Sequence, residues 1–155
     1  MILIAAVGQK LPDWVTTACE DYLARFPTNF KVLLKEVKAE PRTAGKSVSE
    51  MKQLEAQRLV SAVSDCEVTV ALDERGKSLS TSAFATFLEK LEPQTRAIGF
   101  LIGGPDGLDD ALKARCDHQI CLSAMTLPHG LARVLLTEQL YRAWSLLNHH
   151  PYHRA

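Results

Sequence analysis

The chain has no C-x-x-C pair, no cluster of histidine and cysteine at zinc-ligand spacing, and no apolar run near the ~20 residues that a membrane span requires. Cys19, Cys66, Cys116 and Cys121 are therefore expected to be small buried hydrophobes in a reducing compartment, with no metal bound. The opening "MILIAAVGQK" has neither the basic flank nor the apolar length of a signal peptide, so a cytosolic (cytoplasmic) protein is expected. Charge of one sign is missing too: Lys plus Arg and Asp plus Glu are both 18. A nucleic-acid partner would have to be met by a local patch, or by one assembled from two subunits. Phosphate-binding fingerprints are absent. "AGKS" (44–47) and "RGKS" (75–78) end like phosphate loops, but the required upstream glycine is Glu40 in one and Ala71 in the other, and G-x-G-x-x-G does not occur. A nucleoside triphosphate is a poor ligand for this chain.

What is present suits one globular domain over residues 1–155, with 46% hydrophobic residues to build a core. Short aliphatic runs alternate with helical-period segments, the pattern of an α/β domain with a mostly parallel sheet and helices on both faces. Strands are expected at 2–8, 30–37, 67–72, 97–102 and 118–123. Helices are expected over 12–26, from Ser49, over 82–91, at "DDALKA" with Asp109 as its cap, and over 130–147. "DERGKS" (73–78) reads as a turn. "KAEPRTAGKS" (38–47) reads as a polar loop carrying Lys38, Arg42 and Lys46, a candidate basic patch.

Three stretches could carry chemistry. In "LIGGPDGL" (101–108) a strand runs into three glycines, and two readings are open. Gly103 and Gly104 either pack tightly against protein or let a ligand press on the main chain at a strand's carboxyl end, where open α/β sheets bind ligands. "LSAMTLPHG" (122–130) is a small, apolar loop whose free main-chain groups suit an adenine edge, or simply a buried loop. "LYRAWSLLNHHPYHRA" has no Asp or Glu, and its arginines and histidines alternate with aromatics that can hold phosphates and stack bases. The helix before that tail has apolar residues on two stripes, Ala132, Leu136, Leu140, Ala143 and Leu147 on one and Leu131, Val134 and Leu135 on the other. So broad a surface fits either a homodimer or a helix buried wholly within one chain.

The segments "AAVGQKLPDWV", "VALDERGKSLSTSAFA", "FLIGGPDGL" and "LSAMTLPHGLARVLLTEQLYRAWSLLNHHPYHR" together resemble the RlmH family, ribosomal RNA large-subunit methyltransferases of the SPOUT class. The resemblance spans essentially the whole chain. It implies an α/β fold with a C-terminal trefoil knot, a homodimer, and S-adenosyl-L-methionine as methyl donor. The implied reaction is methylation at N3 of a pseudouridine in 23S ribosomal RNA, within the assembled ribosome. The cofactor residues it implies are Leu72, Gly103, Leu122, Ser123, Ala124, Met125, Thr126 and Leu127. Removing the N3 proton needs a base, and the anion left between two carbonyls needs positive partners. The candidates are His129, Arg142, Tyr152, His153 and Arg154, with the proton acceptor open between His129 and His153. Arg142 could equally form a helix-surface ion pair. The rival readings are a non-enzymatic ribosome- or RNA-binding module on the same scaffold, and a small-molecule-binding α/β protein.

Overall fold

The computed structural model describes residues 1–43 and 45–154; Ala44, inside the predicted 38–47 loop, and the terminal Ala155 lie outside the described residues. Five strands form one all-parallel sheet: β1 (Ile2–Val7), β2 (Val32–Val37), β3 (Val68–Ser78), β4 (Ile98–Ile102) and β5 (His118–Cys121), in the order β2-β1-β4-β3-β5. Among the described residues five α-helices connect or flank them: α1 (Asp13–Leu23), α2 (Val48–Ala62), α3 (Thr81–Leu91), α4 (Asp110–Arg115) and α5 (His129–Leu147).

Continuous aliphatic runs become central strands because both faces of the sheet are covered. On β1 and β4 alternate residues serve opposite cores. Ile2, Ile4, Ile98 and Phe100 pack with Phe84 and Leu88 of α3 and Leu136 and Leu140 of α5. Ala5, Val7 and Leu101 pack on the other side with Ala56 and Leu59 of α2 and Leu112 of α4. Among these, Ile4, Phe100, Leu136 and Leu140 are completely buried. No position of α5 is fully exposed, and α1 and α3 both pack against it. The stripe of Leu136, Leu140, Ala143 and Leu147 is used within one chain, whereas Leu131, Val134 and Leu135 of the other stripe stay half-buried.

Two local expectations are corrected. The α2 cap is Ser47 rather than Ser49: the Ser47 hydroxyl accepts from the Glu50 amide at 3.1 Å. The S-x-x-E spacing at 47–50 is the capping signal that decides it. The predicted turn at 73–78 is not a break. Leu72 and Lys77 both stand opposite Ile120 of β5, so the four residues between them bulge out while the strand continues to Ser78. Gly76 permits this, since a Cβ there would lie 2.6 Å from the Ile120 carbonyl carbon. By contrast, Asp109 caps α4 as expected, accepting from the Leu112 amide at 3.1 Å.

Candidate functional site

Because all strands run one way, the carboxyl ends of β3, β4 and β5 emerge side by side. They open into a cavity of about 660 Å³, within the range of small-molecule sites. Leu72 and the bulge residues Asp73 to Arg75 form one wall, and Ile102 through Leu108 form a second. The third is built by Cys121, Leu122, Ser123 and Met125 through His129. Lys52, Asp110 and Lys113 add a charged rim, in which Lys113 bridges Asp73 at 3.4 Å and Asp110 at 3.1 Å. Of the residues that the family resemblance assigns to the cofactor, Leu72, Gly103, Leu122, Ser123, Met125, Thr126 and Leu127 line this one cavity. Ala124 does not line it, being exposed beside them.

The glycines of the β4 turn have a packing role of their own. A Cβ on Gly103 would stand 2.5 Å from the Gly107 carbonyl carbon, and one on Gly104 would stand 3.0 Å from Val7 Cγ1. Gly107 has φ +82°, and its amide donates to the Gly104 carbonyl at 3.0 Å. What comes so close to the backbone at those Cβ positions is the protein itself. The folded-back turn in turn presents its edge to the cavity.

His129 is the first residue of α5 and stands at the cavity wall. Burial pushes its imidazole pKa below the ordinary value, the Arg133 guanidinium pushes it further, and the Glu55 carboxylate opposes. Arg133 is a cation that no local pattern singles out. It is 3% exposed, pairs with Glu36 at 2.7 Å and donates to the Gly8 carbonyl at 3.2 Å. Its Nη2 and the His129 Nε2 lie 3.7 and 3.6 Å from the place a Cβ on Gly8 would take.

The other four candidates gather elsewhere. Glu138 Oε1 accepts from Arg142 Nε at 2.8 Å, from Arg142 Nη2 at 2.5 Å and from the Tyr152 hydroxyl at 3.0 Å. Arg142 therefore does form the helix ion pair, and Glu138, at i−4, ties it to Tyr152, a link that no local pattern in the sequence marks. Desolvation and its bonds to Tyr22 and Glu138 raise the Tyr152 phenol pKa well above its usual range. His153 Nδ1 sits 2.8 Å from the Ser145 hydroxyl. Tyr141 stacks on Trp144 with ring centres 5.5 Å apart and meets Tyr152 edge-on at 4.7 Å. Arg154, in a left-handed conformation, follows this docked tail and is exposed.

Glu138 and Arg142 lie nine and thirteen residues beyond His129 on one continuous helix, so the tail cluster is displaced along its axis by roughly 14 to 20 Å. Within one chain the structure unites His129 with the cofactor candidates and leaves Arg142, Tyr152, His153 and Arg154 apart from them. The 38–47 loop also differs from the expected basic patch: Arg42 pairs with Glu55 and Asp106, and Lys46 with Glu40. Among the described residues no helix is long and apolar enough to cross a membrane. Among the described residues no His, Cys, Asp or Glu cluster could hold a metal ion.

Comparison with known proteins adds the following. A family model described as "Predicted SPOUT methyltransferase" matches residues 1–153. Ribosomal RNA large subunit methyltransferase H of Methylibium petroleiphilum is 54% identical over 153 residues, covering 99% of this chain and 98% of its own. The protein of that name from Bordetella petrii is 51% identical over 154 residues, covering 99% of each chain. Among solved structures, a methylase family protein from Haemophilus influenzae superposes with a TM-score of 0.61 at 13% identity, over 97% of this chain and 69% of that one. A Legionella pneumophila protein solved in complex with the bound cofactor SAM superposes with a TM-score of 0.51 at 11% identity, over 92% and 66% of the two chains. These two show the shared fold. With the full-length match and relatives above 50% identity, the chain belongs to the RlmH family of SPOUT methyltransferases.

Proposed function

We propose that this protein transfers a methyl group from S-adenosyl-L-methionine to N3 of a pseudouridine in 23S ribosomal RNA, on the assembled ribosome in the cytoplasm. The observation that carries the reading is the convergence of three sequence-distant segments, around 72, 103 and 122–129, on one cavity. The lining fits the cofactor chemically. Leu72, Ile102, Leu122 and Leu127 offer apolar surface for an adenosyl group, and Lys52, Asp73 and Lys113 offer both signs of charge for an amino-acid end. The same reading threads the segments after β4 and β5 as the family's C-terminal trefoil knot.

S-adenosylmethionine, when bound, supplies an electrophilic methyl on a sulfonium leaving group. The protein's own work is positioning and proton removal. His129, at the cavity and favoured as neutral imidazole by its burial and by Arg133, is the better placed of the two proton acceptors to take the N3 proton. His153 instead meets Ser145 in the tail cluster. Arg142 and Arg154 supply positive charge for the pseudouridine carbonyls or neighbouring phosphates, and Tyr152 a ring for base contacts. Their separation from His129 along α5 supports a homodimer in which one chain's tail completes its partner's cavity. Neutral overall charge fits a substrate whose assembled shape, rather than nonspecific phosphate attraction, supplies recognition.

The test is transfer of labelled methyl to assembled ribosomes lacking the modification, with free ribosomal RNA and separated subunits as parallel substrates. Labelling of one pseudouridine, only in the assembled particle, is expected. Saturable binding of the ribosome without any cofactor binding would instead leave a non-enzymatic ribosome-binding module.

A further inference from the structure

The turn Gly103–Gly107 is made of three glycines, a proline and an aspartate, so few of its own side chains can hold its shape. One that can is Asp106, whose carboxylate meets Arg42 Nη2 at 3.0 Å. The other arm of the same guanidinium, Nη1, donates to the Glu40 carbonyl at 2.9 Å and to Glu55 Oε2 at 3.1 Å. The Glu55 side chain is 3% exposed and also accepts the Glu40 amide at 3.0 Å. Its remaining oxygen, Oε1, has no hydrogen-bond partner among the described residues and lies 3.5 Å from the place a Cβ on Gly104 would occupy. Glu40 in turn is gripped by Lys46 at 2.9 Å and by Arg58 of α2, which hold its carboxyl below the usual carboxylate range.

We propose that Arg42 is a positioning residue: it latches the glycine turn, through Asp106, to the buried Glu55 of α2 and so holds the turn in its cofactor-binding shape. The function assigned to the cavity above is the ground on which this rests. A guanidinium suits the task because its planar fork reaches two carboxylates in different directions at once. Lysine at the same place would satisfy Glu55 or Asp106 but not bridge them. The residues that resembled an RNA-binding basic loop thereby acquire a different role, with Arg42 directed inward to the cavity's wall.

The latch is tested on the full-length protein by calorimetric titration with S-adenosylhomocysteine, using wild type, Arg42→Lys, Arg42→Ala, Asp106→Asn and the Arg42→Ala/Asp106→Asn pair. Amide hydrogen exchange over residues 103–108 is measured on each in the absence of ligand. The charge-assisted bonds predict a dissociation constant raised roughly tenfold in either alanine or lysine variant. The double variant should be little worse than Arg42→Ala, since both changes break one connection. Arg42→Lys, which keeps a cation beside buried Glu55, should unfold close to the wild-type temperature while its turn amides exchange faster. Unchanged affinity in Arg42→Lys, or additive losses in the double variant, would overturn the latch. If the wild type binds no S-adenosylhomocysteine, the cofactor reading fails instead. The latch is then judged on exchange alone, and equal protection in wild type and Arg42→Lys would end it.

Discussion

His129 combines a place on the cavity wall with a suppressed imidazole pKa, and both bear on its proposed work. Its titration in the fold lies below the ordinary 6.5, so the neutral, proton-accepting form persists below that pH. The acid limb of kcat/KM should accordingly have its midpoint under about 6.5. A limb lost in His153→Asn but retained in His129→Asn would move the base to the tail. The sign for stability follows from the same shift. Below about 6.5 the unfolded chain takes up the proton first, so stability falls as pH drops toward the folded value and is unaffected above it. His129→Asn should flatten that part of a denaturant-midpoint against pH curve. At Gly103 the expectation is steric: Gly103→Ala places a methyl 2.5 Å from a main-chain carbon, which should lower stability by about 1–3 kcal/mol in chemical denaturation. Gly107→Ala meets no neighbour within 4 Å, and its φ of +82° leaves a strain nearer ~1 kcal/mol.

The helix and strand ends are where local rules and their competitors can be separated. The Ser47 cap predicts that Ser47→Ala lowers stability by about 1 kcal/mol, while Ser49→Ala, already inside α2, stays within about 0.5 kcal/mol. Urea midpoints of the two variants decide between the observed helix start and the one expected from periodicity. The S-x-x-E spacing was visible in the sequence, but so was a second serine, Ser49, two residues on. The bulge in β3 was legible only as a turn, because Asp73, Glu74 and Gly76 are ordinary turn residues and nothing local announces that the chain rejoins β5. Gly76→Val, with its Cβ aimed at the Ile120 backbone, should detach Lys77 and Ser78 from β5. Loss of exchange protection there, with protection of β1 and β4 kept, is the expected signature.

For the whole molecule, the decisive geometry is the length of α5, which starts at the cavity and carries the tail cluster near its far end. A site shared between two chains predicts complementation. His129→Ala and Arg142→Ala are each expected to be inactive alone, and mixing them under conditions that allow subunit exchange should restore methyl transfer. No recovery from a mixture shown to contain heterodimers would place the tail outside its partner's site. The exposed Trp14 on α1, a helix packed against α5, offers a fluorescence probe for that association.

The alternation of aliphatic runs with helical periods determined by itself the α/β class, the parallel sheet and nearly every element, because central strands and amphipathic helices are encoded by local patterns. The specific pairing of "IGGPDG", "TLPH" and "PYHR" likewise pointed to the family without any coordinates. Only the tertiary structure decided which of those residues meet. Strand order brings Leu72, Gly103 and Leu122 together, and the ~1.5 Å rise of each α5 residue holds Tyr152 and Arg142 away from His129. It also pairs Arg42 with buried Glu55, Arg133 with Glu36 and Arg142 with Glu138. Such charges are selected by partners distant in sequence, and long-range contacts leave no local spacing to read.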